Sequence, residues 1–384
     1  VTEVRGWCPD LFRPMQSGDG WLIRVRPRLA RVMAEQASAV SAAAARYGNG
    51  LIELTSRGNL QLRGFTSGSA TEAAGCLAEA GLADPDPARE RRSSLILSPL
   101  LPPDGLAVAV LLGDTFAPSP LIDLLPPKFA TGISAGRFPL ADGQVDLLIR
   151  PLGSQWHASL GARSVLAAVE GLPAAALSLL GGSPPMRKRG QAGAAPTLTI
   201  GWHPAAAGEA SGGAFGFGLP FGQLDADLMH KLASLAVRHG DGLLHVTPWR
   251  TLLISGVDDA AVPLLRHALS GLVLDADDPR LLVSACIGAA GCSSGRTDAR
   301  TDALALLRLG VRAASIHVSG CAKGCAHPGP AALTLVGEAV RDGSGVYALV
   351  RDGPASHTPQ SDGLDCAQLA RQLVPDRGGS ADRS

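Results

Sequence analysis

Cys286, Cys292, Cys321 and Cys325 stand in the runs SACIGAAGCSSG and HVSGCAKGCAHP with the spacing C-x5-C-x28-C-x3-C. Four thiolates in two pairs are a donor set for a [4Fe–4S] cluster. Gly288, Gly291, Gly320 and Gly324 accompany them, as expected where backbone passes close to a cluster and aims N–H groups at its sulfurs. The chemistry implied is electron transfer. Structural zinc competes for the same thiols, but zinc pairs usually sit two to four residues apart, and C-x5-C is wide for them. Disulfides fit less well. VTEVRGWCPDLFRP carries no apolar leader, so cytoplasmic placement with reduced thiols is expected. The other three cysteines (Cys8, Cys76, Cys366) are scattered and the total of seven is odd.

The elements that must position these residues are legible in a repeat. Residues 46–64 (RYGNGLIELTSRGNLQLRG) align without a gap on 238–256 (RHGDGLLHVTPWRTLLISG), at a constant offset of 192. Each copy predicts a helix: RLARVMAEQASAVSAAAARYG in the first, DADLMHKLASLAVRHG in the second. In the second, Asp225 is the expected N-cap, Leu228, Leu232, Leu235 and Ala236 the apolar stripe, and Gly240 the C′ residue. Asn49-Gly50 and Asp241-Gly242 then turn the chain into two short alternating strands. GDGWLIRVRP is a strand ahead of the first helix, so each copy is an α+β unit of split βαβ type. Segments 89–150 and 279–350 follow the copies and share a looser order of strands and helices, including the helix TDARTDALALLRLG ending at Gly310. The Pro-, Gly- and Ala-rich stretch around 172–215 reads as a link.

The 384 residues are 46% apolar, enough for a sizeable core, and no apolar run reaches membrane-span length. Lys+Arg and Asp+Glu balance at 34 each, so nothing points to nucleic acid. Arginine far outnumbers lysine. Its planar fork suits carboxylates, although a GC-rich genome raises arginine too.

HVSGCAKGCAHP with its upstream C-x5-C resembles the sulfite/nitrite reductase superfamily, and the repeat resembles that superfamily's duplicated ferredoxin-like half-domains. LPPKFATGISAG is similar to its Leu-Pro-x-Lys-Phe segment. Within it, RGWCPDLFRPMQSGDGWLIRVRP, TSRGNLQLRG and the His-Pro after Cys325 most resemble the precorrin-3B synthase family. The resemblance implies an α+β fold of two ferredoxin-like half-domains plus two α/β sulfite/nitrite reductase-type domains, the second carrying the cluster. The implied boundaries are 1–70 and 216–273 for the half-domains, 85–180 and 274–372 for the reductase-type domains, 181–215 for the linker and 373–384 for a disordered tail.

The activity implied is an oxygen-dependent monooxygenase of aerobic cobalamin biosynthesis. It hydroxylates the tetrapyrrole precorrin-3A at C-20 and closes a γ-lactone. The alternative is a sirohaem/[4Fe–4S] sulfite or nitrite reductase. No G-x-G-x-x-G follows a strand, so electrons are expected from an external donor or reductase. By resemblance, Arg57, Arg63 and Lys128 line the tetrapyrrole cavity. Arg57 and Arg63 share a face only if the strand runs through Gly58-Asn59. Arg24 and Arg26 alternate and so share a face, Lys323 lies inside the cluster loop, and Arg13 and Arg250 are weaker candidates. The family also implies a mononuclear non-haem iron, which calls for about two His and one carboxylate. None of the nine histidines forms a tight pair. His317, His327, His203 and His245 are candidates, with the ligands left open, as is the role of Cys8. Two positions depart from the superfamily: Ala130 replaces a second lysine after LPPKF, and Ser93-Ser94 replace a common Asn.

Overall fold

A computed structural model describes residues 8–92, 94–181, 199–205, 212–327 and 329–374. The chain divides into two compact units, residues 1–16 with 20–276, and residues 17–19 with 277–384.

The larger unit contains both repeat copies, related by the same offset of 192 in structure as in sequence. In the first copy β1 (Met15–Ser17), β2 (Gly20–Val25), β3 (Arg31–Met33), α1 (Ala34–Tyr47), β4 (Leu51–Leu54) and β5 (Leu60–Phe65) follow in order, then α2 (Ser67–Glu79) and α3 (Pro87–Arg92). The second copy holds β11 (Gly201–His203), β12 (Gly213–Gly218), β13 (Gln223–Asp225), α6 (Ala226–His239), β14 (Leu243–Val246), β15 (Thr251–Val257) and α7 (Val262–Ala268). The sheets run β1-β2-β5-β4-β13 and β11-β12-β15-β14-β3, so each copy lends its short third strand to the other's edge. Met33 faces Leu243 and Asp225 faces Leu51. Hydrogen bonds from Ala34 N to Gly242 O (3.0 Å) and from Ala226 N to Gly50 O (2.9 Å) close the exchange symmetrically. Each lent strand caps an edge that would otherwise expose unpaired N–H and C=O groups.

This exchange corrects the first helix. Residues 28–30 form a single 3-10 turn with Leu29 and Ala30 at positive φ, 31–33 are strand, and the α-helix starts only at Ala34. Asp225 caps α6 as expected, accepting from Leu228 N at 2.8 Å. Met229, Leu232, Ala233, Leu235 and Ala236 are buried, with Leu228 partly so, and each large side chain contributes about 1.5–3 kcal/mol. Gly240 is not a left-handed C′ residue, because its φ is −146° and the positive φ of +82° falls at Gly242. Glycine is required at 240 by proximity: a Cβ there would stand 2.4 Å from the Ser255 carbonyl oxygen, as one at Gly48 would from that of Arg63.

The remaining segments form a second duplication. In the larger unit β6 (Leu95–Leu97), α4 (Pro103–Phe116), β7 (Thr131–Ile133), β8 (Leu147–Leu152), β9 (Gln155–Leu160), β10 (Arg163–Ala167) and α5 (Leu172–Leu180) give a sheet ordered β10-β9-β8-β7-β6. The smaller unit repeats that plan with β16 (Val283–Ala285), α8 (Ala299–Arg308), β17 (Ile316–Ser319), β18 (Ala331–Arg341), β19 (Ser344–Gly353), β20 (Ser361–Asp365) and α9 (Cys366–Leu373). In both, the first three strands are parallel and the last two antiparallel.

Element boundaries shift the expected links. Helix α2 runs past residue 70 and shares the half-domain core, and β11 with the start of β12 falls inside the 181–215 stretch. Most of the expected tail, 375–384, lies outside the described residues. Among the described residues no helix is long and apolar enough to cross a membrane.

Candidate functional site

In the smaller unit the cysteine loops leave the carboxyl ends of neighbouring parallel strands, where open α/β sheets place ligands. Val283 is in register with Ile316 and Ala285 with Val318. Cys286 extends that ladder, its N–H reaching Val318 O at 3.2 Å, and Cys321 follows β17 directly after Gly320. Gly320 N–H donates to the Cys286 sulfur at 3.1 Å, while Gly320 O accepts from Arg296 N at 2.8 Å. Further bonds brace the loops, from Gly295 N to Cys292 O and Ala289 N to Thr297 O, both 2.8 Å.

The loops cross where only hydrogen can fit. A Cβ on Gly320 would lie 3.0 Å from Gly288 Cα and 3.5 Å from Cys286 Sγ, and one on Gly295 would lie 2.3 Å from the Gly288 carbonyl carbon. Burial raises the Cys325 thiol pKa, the nearby Cys321, Cys286 and Cys292 raise it further, and Lys323 opposes them. The four sulfurs therefore share one electrostatic neighbourhood. All seven cysteines are free. Among the described residues no three His, Cys, Asp or Glu side chains close on one point as ligands of a single ion do. Four thiols with a backbone N–H aimed at one sulfur are a donor set that fits a [4Fe–4S] cluster.

The candidate histidines for a non-haem iron stand apart from one another, His317 and His327 excepted. His245 is buried in the half-domain sheet against Ser255 Oγ at 2.8 Å, and burial pushes its pKa down to about 3. His203 packs edge-on against Phe138, ring centroids 4.9 Å apart. His317 is fully buried on β17, its ring 5.8 Å from that of His327, and neither of its nitrogens has a protein partner. Lys323 is exposed and donates to Ser294 Oγ at 2.9 Å.

In the larger unit a cavity of about 260 Å3 is lined by Arg13, Arg24, Arg26, Arg57, Arg91 and Arg92, with Cys8 and Asp10 at its wall. Arg24 and Arg26 both line it. Arg24 donates to Gln61 Oε1 at 2.7 Å, and burial lowers its pKa, with Cys8 opposing. Arg57 sits in the turn between β4 and β5, where Gly58 has a φ of +67°, and bonds the carbonyls of Lys128 and Phe129. It therefore shares no strand face with Arg63. Arg63 does not line the cavity: it is 6% exposed and paired with Glu53 at 3.1 Å. Lys128 offers its carbonyl while its side chain is exposed. Sequence reasoning missed Arg91 and Arg92. The charged run RERR ahead of a strand was the available signal, and Arg92 is held by Asp123 and by Ala117 O.

Over 404 aligned residues the chain is 31% identical to precorrin-3B synthase of a Sinorhizobium species, covering 93% of this chain and 85% of that one. The chain belongs to the precorrin-3B synthase family. Its residues 13–80 and 208–271 match the nitrite/sulfite reductase ferredoxin-like half domain, which places the family in the sulfite/nitrite reductase superfamily and covers both repeat copies. Ferredoxin–nitrite reductase of Synechococcus elongatus is 27% identical over 44% of this chain and 37% of its own length. The spinach chloroplast enzyme is 27% identical over 42% and 29%. The solved structure of Mycobacterium tuberculosis NirA protein shares the fold, with a TM-score of 0.64 at 16% identity over 94% of this chain and 82% of that one. The precorrin-3B synthase match thus spans both units, whereas the reductase matches span less than half the chain.

Proposed function

We propose that this member of the precorrin-3B synthase family is an iron–sulfur monooxygenase. It would convert precorrin-3A to precorrin-3B by C-20 hydroxylation and γ-lactone formation, using O2 and electrons from a separate reductase. The similarity to a precorrin-3B synthase over 93% of this chain and 85% of that one carries the reading. The net step inserts one oxygen atom of O2 into the substrate and reduces the other to water with two electrons and two protons.

Cys286, Cys292, Cys321 and Cys325 would hold the [4Fe–4S] cluster, which supplies electrons one at a time. The Gly320 N–H is aimed at the Cys286 sulfur, and an amide donor there favours the reduced, more negative state. Arg24, Arg26 and Arg57 would clamp substrate carboxylates, with Phe116, Ile122 and Phe129 excluding water along the same wall. No step is assigned to a non-haem iron.

Anion reduction is less well supported. Ala130, standing where sirohaem reductases carry their second lysine, is 2% exposed, and its N–H is tied to Asp146 Oδ2 at 2.8 Å. Anaerobic purification with iron and sulfide analysis, followed by precorrin-3A, reductant and 18O2, tests the proposal. One 18O in a lactone product is expected. Co-purified sirohaem with sulfite or nitrite turnover, and no labelled corrinoid, would overturn it.

A further inference from the structure

A second cavity of about 290 Å3 adjoins the arginine-lined one, and the two share Arg26, Asn59 and Ser94 as lining. Leu29, Leu82, Leu97 and Val110 form one part of its wall, and the paired charges of Arg28 with Asp114 and Arg89 with Asp84 form another. Its polar end presents a buried carboxyl group beside Arg26. Glu90, on α3, is only 3% exposed and lines this chamber. Its Oε2 accepts from Asp84 N at 3.0 Å, and its backbone carbonyl accepts from Arg26 Nη1 at 2.9 Å. Arg26 is thus held at the junction by the residue that carries the buried acid.

We propose that this chamber is a subsite for one carboxylate-bearing arm of the tetrapyrrole, gripped at its end by Arg26 and by the buried carboxyl of Glu90. The inference rests on the tetrapyrrole reading above. The methylene groups of such an arm would lie along Leu29, Leu82, Leu97 and Val110, with its carboxylate at Arg26 and Glu90. A neutral Glu90 can donate its O–H to the incoming carboxylate, giving a charge-assisted bond, whereas an ionised Glu90 repels it.

The charged surroundings set the pH range. Burial pushes the Glu90 pKa up to about 7; the Asp84 N–H and Arg26 oppose this, and the Asp10 and Asp84 carboxylates add to it. Arg89, on the same helix, is engaged with Asp84 at 3.1 Å, and Arg28 pairs with Asp114 at 3.6 Å on the chamber's other wall. Glu90 is therefore protonated below pH 7, and ligand binding should draw a proton on above it. For one such group, affinity falls about tenfold between pH 6 and pH 8.

Fluorescence titration of the full chain with uroporphyrin, an octacarboxylate tetrapyrrole, tests the inference. Wild-type affinity should drop about tenfold from pH 6 to pH 8. Glu90→Gln, neutral at every pH and nearly isosteric, should bind at pH 8 as the wild type does at pH 6. Val110→Phe, which fills the chamber, should weaken binding at both values. An equal pH slope in wild type and Glu90→Gln, or unchanged affinity in Val110→Phe, overturns the subsite while leaving the tetrapyrrole reading in place. No binding by the wild type at any pH removes both.

Discussion

Gly295→Ala should abolish cluster retention while leaving most of the fold intact. The new Cβ would stand 2.3 Å from the Gly288 carbonyl carbon, 2.5 Å from Ala289 N and 2.6 Å from Gly288 O, all backbone atoms. Restoring an ordinary contact of 3.4 Å requires the two strands of loop to separate by about 1 Å. Overpacking of this kind costs about 1–3 kcal/mol, which a domain of this size survives. A metal site does not, since ligand distances tolerate only about 0.2 Å, and residues 288 and 295 bracket Cys292. Gly320→Ala, with its nearest contact at 3.0 Å on Gly288 Cα, should give a partial version of the same loss. Gly75→Ala is the control, because nothing lies within 4 Å of a Cβ there and the site is inside α2; it should be neutral or stabilising by about 0.5–1 kcal/mol. The assay is iron and acid-labile sulfide per chain after anaerobic reconstitution, with far-UV circular dichroism as the check on folding. Wild-type iron and sulfide in Gly295→Ala would refute the argument that the crossing glycines cradle the thiols.

Three further outcomes are expected. Cys325→Ser should lose both bound iron and turnover, and a fully active, iron-free variant would remove the cluster assignment. Arg63→Ala should destabilise by about 1.5–3 kcal/mol, because it removes a charge-assisted bond from a buried guanidinium to the half-buried Glu53, which keeps only its bond from Gln61 Nε2 at 2.9 Å among those named, and a urea midpoint that does not move would return Arg63 to a substrate-facing role. His245, whose pKa burial depresses to about 3, takes a proton in the unfolded chain near pH 6.5 but not in the folded one. Its contribution is therefore full above pH 6.5 and is lost as pH falls, by roughly 1.5 kcal/mol at pH 5; His245→Gln should shrink the stability drop between those values by that amount, and equal drops would place His245 elsewhere.

What the sequence determined by itself was whatever depends on local spacing. The two half-domains were legible because their glycines at 48, 50 and 64 recur at 240, 242 and 256 without a gap, and each meets a backbone demand of turn or close approach that no other residue satisfies. The four cysteines proposed to hold a cluster stand out because thiolate pairs beside glycines have few uses. Tertiary structure decided the rest. The segments 31–33 and 223–225 carry no strand signal of their own and become strands only because each finds the other copy's open edge. Arg57 and Arg63 look equivalent along one strand, yet a turn at Gly58 sends the first to the cavity wall and a half-buried Glu53 claims the second. Glu90 sits in a charged run that reads as solvated surface, and becomes a buried acid only where α3 closes over the end of β2. Charge placement depends on which distant groups desolvate and pair with a residue, and a one-dimensional pattern holds no record of those neighbours.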